Sequence, residues 1–413
     1  MHQELALAVP LSPESPIQFE AIENDSITRI LRATRKHLGT EIAFVGRYVE
    51  GDQRELMHVD TDLDLPMGAG FREPKENSFC WHILEGRLPS LIQDAADYPL
   101  AKTLPVTNML PVGCHLNVPL RLSDGSVFGS FCCVSRQPNR TITERDIDVL
   151  KAFGQLAAEL IEGSLAQDEE NSSISKSIDD VISANAVSVV MQPIHHIENG
   201  AVAGFECLTR FADTKARGPD VWFNNARSVG KGVMLETLAV ARALEAARRL
   251  PEEVYISVNA SPETILSGSL EELLASFVGP RIVLEVTEHE RVIDYAALGA
   301  ALRKISPYAR IAIDDVGAGY AGLRHLVDLA PDILKLDISL TTNIDTDIAR
   351  QAMATAIVHF ADAIGSEVVA EGIETEDQLR TLRSLGVGYG QGYHYAKPMP
   401  LIAASQYLLK SRF

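Results

Sequence analysis

The feature that most constrains this chain is a series of short apolar runs in its C-terminal part, each followed by a polar residue. Short runs of Val, Ile and Leu without polar alternation are typical of buried strands in a parallel sheet. A polar residue directly after such a run lies at the carboxyl end of its strand, where parallel βα folds assemble their active sites. These polar residues are Glu206, Asn259, Glu285, Asp314, Asp315, Lys335, Asp337, Glu371 and Gln391. We therefore predict that most of them meet in one site.

Segments with helical spacing, such as residues 236–250 and 347–365, alternate with these runs. The alternation predicts βαβ units, and residues 178–413 give room for about eight of them, close to the size of a barrel. An open doubly wound sheet is the alternative, but it usually places its site at a single switch point. Polar ends on most strands favour an α/β fold with a C-terminal TIM-like (β/α)8 barrel.

The N-terminal part has a different pattern. Residues 115–135 contain a Ser-Asp-Gly turn between two apolar segments, which predicts an antiparallel hairpin, and a helical pattern follows it. Residues near the N-terminus lack periodicity, and a polar stretch separates the two patterns. We predict a mobile arm over 1–20, an α+β sensor domain over 21–165, a linker over 166–177 and the barrel domain over 178–413.

Composition limits the function classes. The formal net charge of −19 argues against a nucleic-acid polymer or an anionic membrane as the main partner. Apolar stretches are too short to span a bilayer, and the N-terminus lacks the pattern of a signal peptide. The five cysteines form no CxxC pair, which is typical of reduced thiols. We expect a cytoplasmic protein.

The polar strand ends carry hard oxygen donors that would repel one another at one barrel mouth unless cations neutralised them. Because no His or Cys joins the set, Mg²⁺ or Mn²⁺ fits better than zinc. The adjacent Asp314 and Asp315 suit two ions that clamp a phosphoryl displacement, with Lys335 near the attacking water or the phosphate. The alternative is that these acids only cap helices, a role that does not explain Asn259 or Lys335.

Seven motifs then carry a specific resemblance. In order they are AGFECLTR, SVNASP, LEVTE, IDDVGAGYAGL, ILKLD, VVAEGIE and QGYHYAKP. Over roughly residues 178–410 this part of the chain closely resembles the EAL family of cyclic di-GMP phosphodiesterases. The resemblance implies a TIM-like barrel that hydrolyses cyclic di-GMP to linear pGpG with two Mg²⁺ or Mn²⁺ ions per site.

The resemblance also implies roles for individual positions. The first metal ion would be held by Glu206, Asn259, Glu285 and Asp314, and the second by Asp314, Asp315 and Glu371. The catalytic residues would be Lys335, Glu206, Asp315 and Gln391, and the substrate-binding residues Arg210 and Leu208. Glu288 and Glu374 would support or regulate the loop beside the metal site, and Asp337 would be structural.

The chain departs from the EAL pattern at three positions. Cys207 stands where Ala is usual, and as a small hydrophobe it should be tolerated on a buried strand. Val316 replaces an aromatic residue, and Ala318 replaces a Thr. These changes leave every implied ligand in place but are expected to alter loop packing and the basal rate.

Residues about 20–165 resemble a GAF domain, on the segment 76–95, the hairpin and the closing helix. The resemblance leaves the GAF ligand unknown. Cys114-His115 is similar to the bilin-anchoring pair of some relatives, but it leads directly into a strand and is expected to be an ordinary pair. The closing helix would suit a dimer stalk, although a helix packed on the core is the alternative. We predict a GAF-regulated, homodimeric cyclic di-GMP phosphodiesterase; the alternative is a catalytically silent cyclic di-GMP receptor that signals through its GAF domain.

Overall fold

The computed structural model describes residues 26–212, 217–287, 294–317 and 323–411. The chain divides into two compact units, Met1–Glu169 and Glu170–Phe413. The arm expected over residues 1–20 lies outside the described residues.

The N-terminal unit is built around a six-stranded antiparallel sheet in the order β3-β2-β1-β6-β5-β4. The strands are β1 (Ile42–Val49), β2 (Gln53–Thr61), β3 (Arg72–Pro74), β4 (Leu91–Ile92), β5 (Cys114–Arg121) and β6 (Val127–Ser135). The helices of this unit are α1 (Ser26–Leu38), α2 (Phe79–Leu84), α3 (Pro99–Thr103), α4 (Val106–Met109) and the first part of the long α5 (Glu144–Ser183). The predicted hairpin is confirmed as β5 and β6, with Gly125 in the left-handed region at φ 84°.

Two separate apolar cores pack against this sheet. One contains Leu31 of α1 and Leu150 of α5, and the other contains Phe79 and Ile83 of α2. Ser78 begins α2 by accepting a hydrogen bond from the backbone N–H of Trp81, which satisfies a donor that a helix start leaves free.

Helix α5 contains the stretch 166–177 that was expected to be a linker, and the boundary between the two units falls inside it. The stretch has no Gly and no Pro, so nothing in it interrupts a helix once one has started. Its C-terminal turns carry Ile178 and Val181, which pack with Trp222 inside the second unit.

The C-terminal unit contains a closed barrel of eight strands, which confirms the predicted fold class. They are β7 (Val187–His196), β8 (Val202–Phe211), β9 (Tyr255–Ala260), β10 (Arg281–Val286), β11 (Ala309–Val316), β12 (Ile333–Leu336), β13 (Glu367–Ala370) and β14 (Tyr389–Gly390). Strands β8 to β14 run parallel to one another, whereas β7 is antiparallel to its two neighbours, β8 and β14. The expected regular (β/α)8 pattern therefore begins with a ββ hairpin, because only a short turn separates β7 from β8. A further two-residue strand, β15 (Met399–Pro400), pairs with β7.

The helices of this unit pack against the barrel strands, the first of them through the cluster around Trp222 and the others through one extended apolar core. They are α6 (Pro219–Ser228), α7 (Gly232–Ala247), α8 (Pro262–Ser267), α9 (Ser269–Ala275), α10 (Tyr295–Ile305), α11 (Leu323–Leu329), α12 (Ile338–Thr341), α13 (Ile348–Ile364), α14 (Glu376–Ser384) and α15 (Leu401–Lys410). Among the helices in the described ranges, none combines the length and the apolar character that crossing a bilayer requires.

Another small apolar cluster joins residues of several barrel strands. It contains Val283, Ala312, Ile333 and Val369, together with Tyr255. Side chains two residues apart on a strand point to the same face, so the residue two positions after each of these shares its face of the barrel. Those positions are Glu285, Asp314, Lys335, Glu371 and Ser257. The apolar cluster therefore lies beneath a polar layer nearer the carboxyl ends of the strands.

Candidate active site

The polar layer brings together side chains from consecutive barrel strands. Glu206 lies on β8, Asn259 on β9, Glu285 on β10, the pair Asp314 and Asp315 on β11, Lys335 on β12, Glu371 directly after β13 and Gln391 directly after β14. Because successive parallel strands end at the same edge of the sheet, one polar residue per strand is enough to build a continuous ring.

Lys335 is at the centre of this ring. Its Nζ lies 2.8 Å from Glu285 Oε2, 3.1 Å from Asp314 Oδ1, 2.6 Å from Glu371 Oε1 and 4.0 Å from Glu206 Oε1. The lysine is 1% exposed, so its charge is almost fully removed from water. A buried ammonium is stable only among opposite charges that replace its lost hydration, and four carboxylates supply them here.

The pKa values of this cluster follow from burial and from mutual repulsion. Burial opposes the charged form of Lys335, but the surrounding carboxylates outweigh burial and hold the pKa of the lysine well above its usual value. Burial also raises the pKa of Glu285 well above its usual range, against the attraction of Lys335. For Glu371, burial raises the pKa to about 8, with Lys335 opposing the rise and Asp314 adding to it. The cluster is therefore short of positive charge.

Asp314 and Asp315 share one side of β11 although they are adjacent in sequence. In a regular strand adjacent side chains point to opposite faces. Here the register of β11 against β12 shifts between Ile313 and Val316, and Asp315 has a left-handed backbone with φ 55°. This irregularity brings one carboxylate oxygen each from Asp314, Asp315 and Glu371 within 4.8 Å of one another. Three oxygens at that separation can coordinate one cation.

Two amide side chains, those of Asn259 and Gln391, bind the Glu206 carboxylate. Asn259 Nδ2 donates to Glu206 Oε1 at 3.0 Å, and Gln391 Nε2 donates to Glu206 Oε2 at 2.6 Å. The amides thus fix the orientation of the Glu206 carboxylate. The side-chain oxygen of Gln391 is buried and has no hydrogen-bond partner within the described residues, so it can accept from a bound molecule.

Two residues of the site were missed by the sequence analysis. Gln192 on β7 accepts a hydrogen bond from Gln391 Nε2 at 3.0 Å, and Ser257 on β9 donates to Glu285 Oε1. Gln192 lies in the middle of its apolar run and not after it. Because β7 is antiparallel to β8, this part of the strand lies beside Glu206. Ser257 could have been found, since it lies two residues before Asn259 and so shares its face.

Two clefts adjoin the ring. A cleft of about 330 Å³ is lined by Glu206, Asp314, Glu371 and Gln391, together with Leu208 and Glu374. A neighbouring cleft of about 370 Å³ is lined by Arg210, Leu208 and Asn259. Leu208 borders both clefts, and Arg210 and Arg227 are cationic residues that line the second. An extended ligand in these clefts would meet the acidic ring at one end and a guanidinium at the other.

The remaining predicted positions have separate environments. Asp337 accepts a hydrogen bond from the backbone N–H of Ser339 and caps α12, as expected of a structural residue. The backbone N–H of Glu374 donates to Gln378 in the capping box of α14. Glu288, which was expected to act in the loop, lies outside the described residues.

Of the three departures, Cys207 and Val316 can be described. Cys207 is buried on the opposite face of β8 from Glu206, and burial raises the pKa of its thiol well above the usual value. A protonated, inaccessible thiol fits the expected role of a small hydrophobe. Val316 is buried in the core between the strands and helices, while Ala318 lies outside the described residues.

Comparison with known proteins gives consistent family relationships. The model of the EAL domain family matches residues 175–398, and the model of the GAF domain family matches residues 23–162. Among curated proteins, the chain is similar to the probable cyclic di-GMP phosphodiesterase PdeB of Escherichia coli (strain K12), with 32% identity over 235 residues. That match covers 54% of this chain and 45% of PdeB, and the chain spans a little under half the length of the first curated relatives it matches.

Two solved structures resemble the C-terminal unit. One is the PaMucR phosphodiesterase in complex with c-di-GMP, with 26% identity, a TM-score of 0.51 and coverage of 56% of this chain and 99% of that chain. The other is an EAL domain protein from Listeria monocytogenes EGD-e, with 26% identity, a TM-score of 0.50 and coverage of 56% and 96%.

Proposed function

The chain belongs to the EAL domain family, and from this premise we propose that its C-terminal unit is a metal-dependent phosphodiesterase that hydrolyses cyclic di-GMP to linear pGpG. The observation that supports this most is the ring of carboxylates around Lys335 at the carboxyl ends of the barrel strands. The name of PdeB and the c-di-GMP complex of PaMucR point to the same substrate.

The donor chemistry of the ring fits two divalent cations. Five carboxylates (Glu206, Glu285, Asp314, Asp315 and Glu371) face one ammonium. If all are ionised, four negative charges remain, and two divalent ions would balance them. Hard oxygen ligands and the absence of His and Cys from the ring favour Mg²⁺ or Mn²⁺. A pair of such ions supplies charge stabilisation for the attacking and leaving oxygens.

We propose two overlapping sets of ligands for these ions. Glu206, Asn259, Glu285 and Asp314 would hold one ion, and Asp314, Asp315 and Glu371 would hold the other. Asp314 would then bridge the two ions. The proximity of the three oxygens in the second set is the stronger support, because those residues come together only through the irregularity of β11.

The other roles concern the substrate and the water. Lys335 would hold the attacking water by a hydrogen bond and stabilise negative charge on the phosphate. Gln391 would orient that water through its unpartnered side-chain oxygen, while Arg210 would bind a phosphate and Leu208 would contact the nucleotide between the clefts. In the reaction, water adds to phosphorus, one P–O bond breaks, and the departing oxygen takes up a proton to become a 3′-hydroxyl.

Regulation and assembly complete the proposal. We propose that the N-terminal unit is a sensor whose ligand changes the rate of the barrel, with α5 as the connecting helix, and that the protein acts as a homodimer. Glu374 would support the substrate cleft that it lines, and Glu288 would act in the loop that follows β10. A cytoplasmic location is also part of the proposal, and it agrees with the five cysteines, all described and all free of disulfides.

The test is product analysis with the purified full chain, cyclic di-GMP and Mg²⁺ or Mn²⁺. We expect pGpG from the unmutated protein and a rate lower by on the order of 10²–10⁴-fold in Glu206→Ala and Lys335→Ala. A matched pair of variants tests the assignment of Glu371. Glu371→Gln should lose activity, whereas Glu367→Gln, at the opposite end of β13 and beside Arg310, should keep it.

One result would overturn the proposed activity, and another would correct one residue assignment. Tight binding of cyclic di-GMP without any pGpG would identify the chain as a silent receptor. Equal activity in Glu371→Gln and Glu367→Gln would instead preserve the phosphodiesterase but remove Glu371 from the metal site.

A further inference from the structure

Two thiols and an imidazole meet in the interior of the N-terminal unit. Cys80 lies on α2, His115 on β5 and Cys132 on β6, and all three are buried. The two Sγ atoms are 3.1 Å apart, and one ligand atom from each residue lies within 4.8 Å of the others. These residues are far apart in sequence, so no spacing motif predicts the cluster. The fold alone brings them together.

Each sulfur of this cluster accepts a hydrogen bond from a nitrogen donor. Arg54 Nη1 lies 3.2 Å from Cys80 Sγ, and Asn117 Nδ2 lies 2.9 Å from Cys132 Sγ. Donors of this kind stabilise a thiolate, and they surround the sulfur ligands of many metal sites. Burial raises the pKa of Cys80, but the hydrogen bond from Cys132 and the charge of Arg54 outweigh burial and hold that pKa well below its usual value. Burial and the neighbouring Cys80 sulfur hold the pKa of Cys132 well above its usual value, so without a cation only one of the two sulfurs is readily ionised.

The charges of this interior also favour a cation. Arg54 forms a buried ion pair with Glu73, so its charge is already matched. Two thiolates would add two negative charges that no other described side chain in contact with them balances. A single divalent ion would bring the buried charge to zero. His115 adds to the argument, because its Nδ1 is buried and has no hydrogen-bond partner within the described residues.

We propose that Cys80, His115 and Cys132 form a metal site for a zinc-class divalent ion in the sensor unit. Thiolate and neutral imidazole are the ligands that zinc prefers, and a three-residue set leaves a fourth position for a water or another small ligand. Binding releases to solvent any protons that the two sulfurs still carry.

A disulfide between the two cysteines is the competing outcome. Two zinc–sulfur bonds of about 2.3 Å at a tetrahedral angle hold their sulfurs roughly 3.8 Å apart, whereas a disulfide holds them about 2.05 Å apart. From 3.1 Å, the metal therefore needs the smaller displacement. A disulfide would also remove the anionic acceptors of Arg54 and Asn117, leaving two buried donors poorly satisfied.

Cobalt titration of the reduced, metal-free full chain tests the proposal. A thiolate ligand gives cobalt an intense charge-transfer absorption, whereas the oxygen ligands proposed for the barrel do not, so the readout separates the two sites. We expect one equivalent of thiolate-bound Co²⁺ that Zn²⁺ displaces. The absorption should be lost or at least halved in Cys80→Ser and Cys132→Ser, and unchanged in Glu371→Gln.

Cys133→Ser is the matched control, because Cys133 is equally buried and adjacent on β6 but points to the opposite face. It should retain the absorption. Failure of the unmutated, reduced protein to give thiolate absorption would overturn the proposal, whatever the variants do. Recovery of the freshly purified protein with a Cys80–Cys132 disulfide and no bound zinc would overturn it as well.

Discussion

At the scale of single residues, Lys335 is the group on which the barrel site depends. Its ammonium contacts three carboxylates directly, and it is among the largest fully buried side chains of the chain. Removing one partner of a buried ionic cluster leaves charges that neither water nor protein stabilises. Lys335 therefore has a structural role in addition to the catalytic role that we propose.

The substitution Lys335→Met tests this structural role. We expect the metal-free barrel to lose about 3–5 kcal/mol of unfolding free energy, because Glu285, Asp314 and Glu371 lose their counterion. Mg²⁺ should restore more stability to the variant than it adds to the unmutated protein. Urea unfolding with and without Mg²⁺ measures both effects, and Lys304→Met, at an exposed position of α10, is the control. A loss below about 0.5 kcal/mol would show that the carboxylates do not need this ammonium.

His195 gives a pH-dependent contribution to stability away from the active site. Its Nδ1 donates to Gly200 O at 2.8 Å, its Nε2 faces the Tyr407 hydroxyl at 3.2 Å, and its ring stacks on Tyr395. Burial lowers the pKa of His195 below its usual 6.5, although the bond to Gly200 opposes this effect. The unfolded chain then takes up a proton more readily than the folded protein. The stability from a neutral His195 is complete above about pH 6.5 and is lost as the pH falls towards the folded pKa.

His195→Gln removes this titration. The variant should be less stable than the unmutated barrel at pH 7, and the difference should shrink at pH 5. Unfolding followed by fluorescence of Trp222 in a Trp81→Phe background measures it, because the chain has only these two tryptophans. A difference that grows on acidification would mean that the folded protein stabilises the protonated imidazole.

At the scale of elements, the irregularity of β11 turns two adjacent aspartates into neighbours in one site. The left-handed backbone of Asp315 costs free energy for most side chains, but Asp and Asn tolerate it. Both Asp315→Asn and Asp315→Ala remove one charge from the acidic ring, so the difference between them isolates the backbone effect. In the metal-free protein Asp315→Ala should be less stable than Asp315→Asn by about 1 kcal/mol. Both should lose metal-dependent activity. Thermal unfolding and pGpG formation separate the two effects, and equal stability of Asn and Ala would contradict the role of backbone strain.

The elements also show how far the sequence could predict this site. Glu206, Glu285, Lys335 and Glu371 could be predicted because each follows an apolar run, and parallel strands end at one edge. Gln192 could not be, since an isolated apolar run does not reveal whether its strand is parallel or antiparallel. The shift in β11 was also beyond prediction, because the spacing of Asp314 and Asp315 implies opposite faces unless a bulge intervenes.

At the scale of the whole molecule, two units carry two chemically different clusters. The barrel gathers hard oxygen ligands, and the N-terminal unit gathers two thiols and an imidazole. The first was predictable because its residues lie at the carboxyl ends of successive parallel strands. The second was not, because Cys80, His115 and Cys132 are distant in sequence and meet only through the pairing of β5 with β6 and the packing of α2.

The net charge of −19 gives a prediction for the whole molecule. An anionic substrate approaches an anionic protein, so salt should screen a net repulsion. At constant saturating Mg²⁺, kcat/KM for cyclic di-GMP should rise by roughly twofold to tenfold as ionic strength increases from low values to about 0.15 M. Initial rates over a series of KCl concentrations measure this. A steady fall would mean that the local field of Arg210 and the bound ions outweighs the net charge.

The measurement that tests the central claim most directly is hydrolysis of cyclic di-GMP in water enriched in ¹⁸O, with mass analysis of the product. The full chain with Mg²⁺ or Mn²⁺ should give pGpG that carries one heavy oxygen in its 5′-phosphate, and Glu206→Ala should form this product on the order of 10²–10⁴-fold more slowly. The account would be contradicted if the metal-loaded, folded protein left cyclic di-GMP unchanged, or if pGpG formed equally fast in Glu206→Ala.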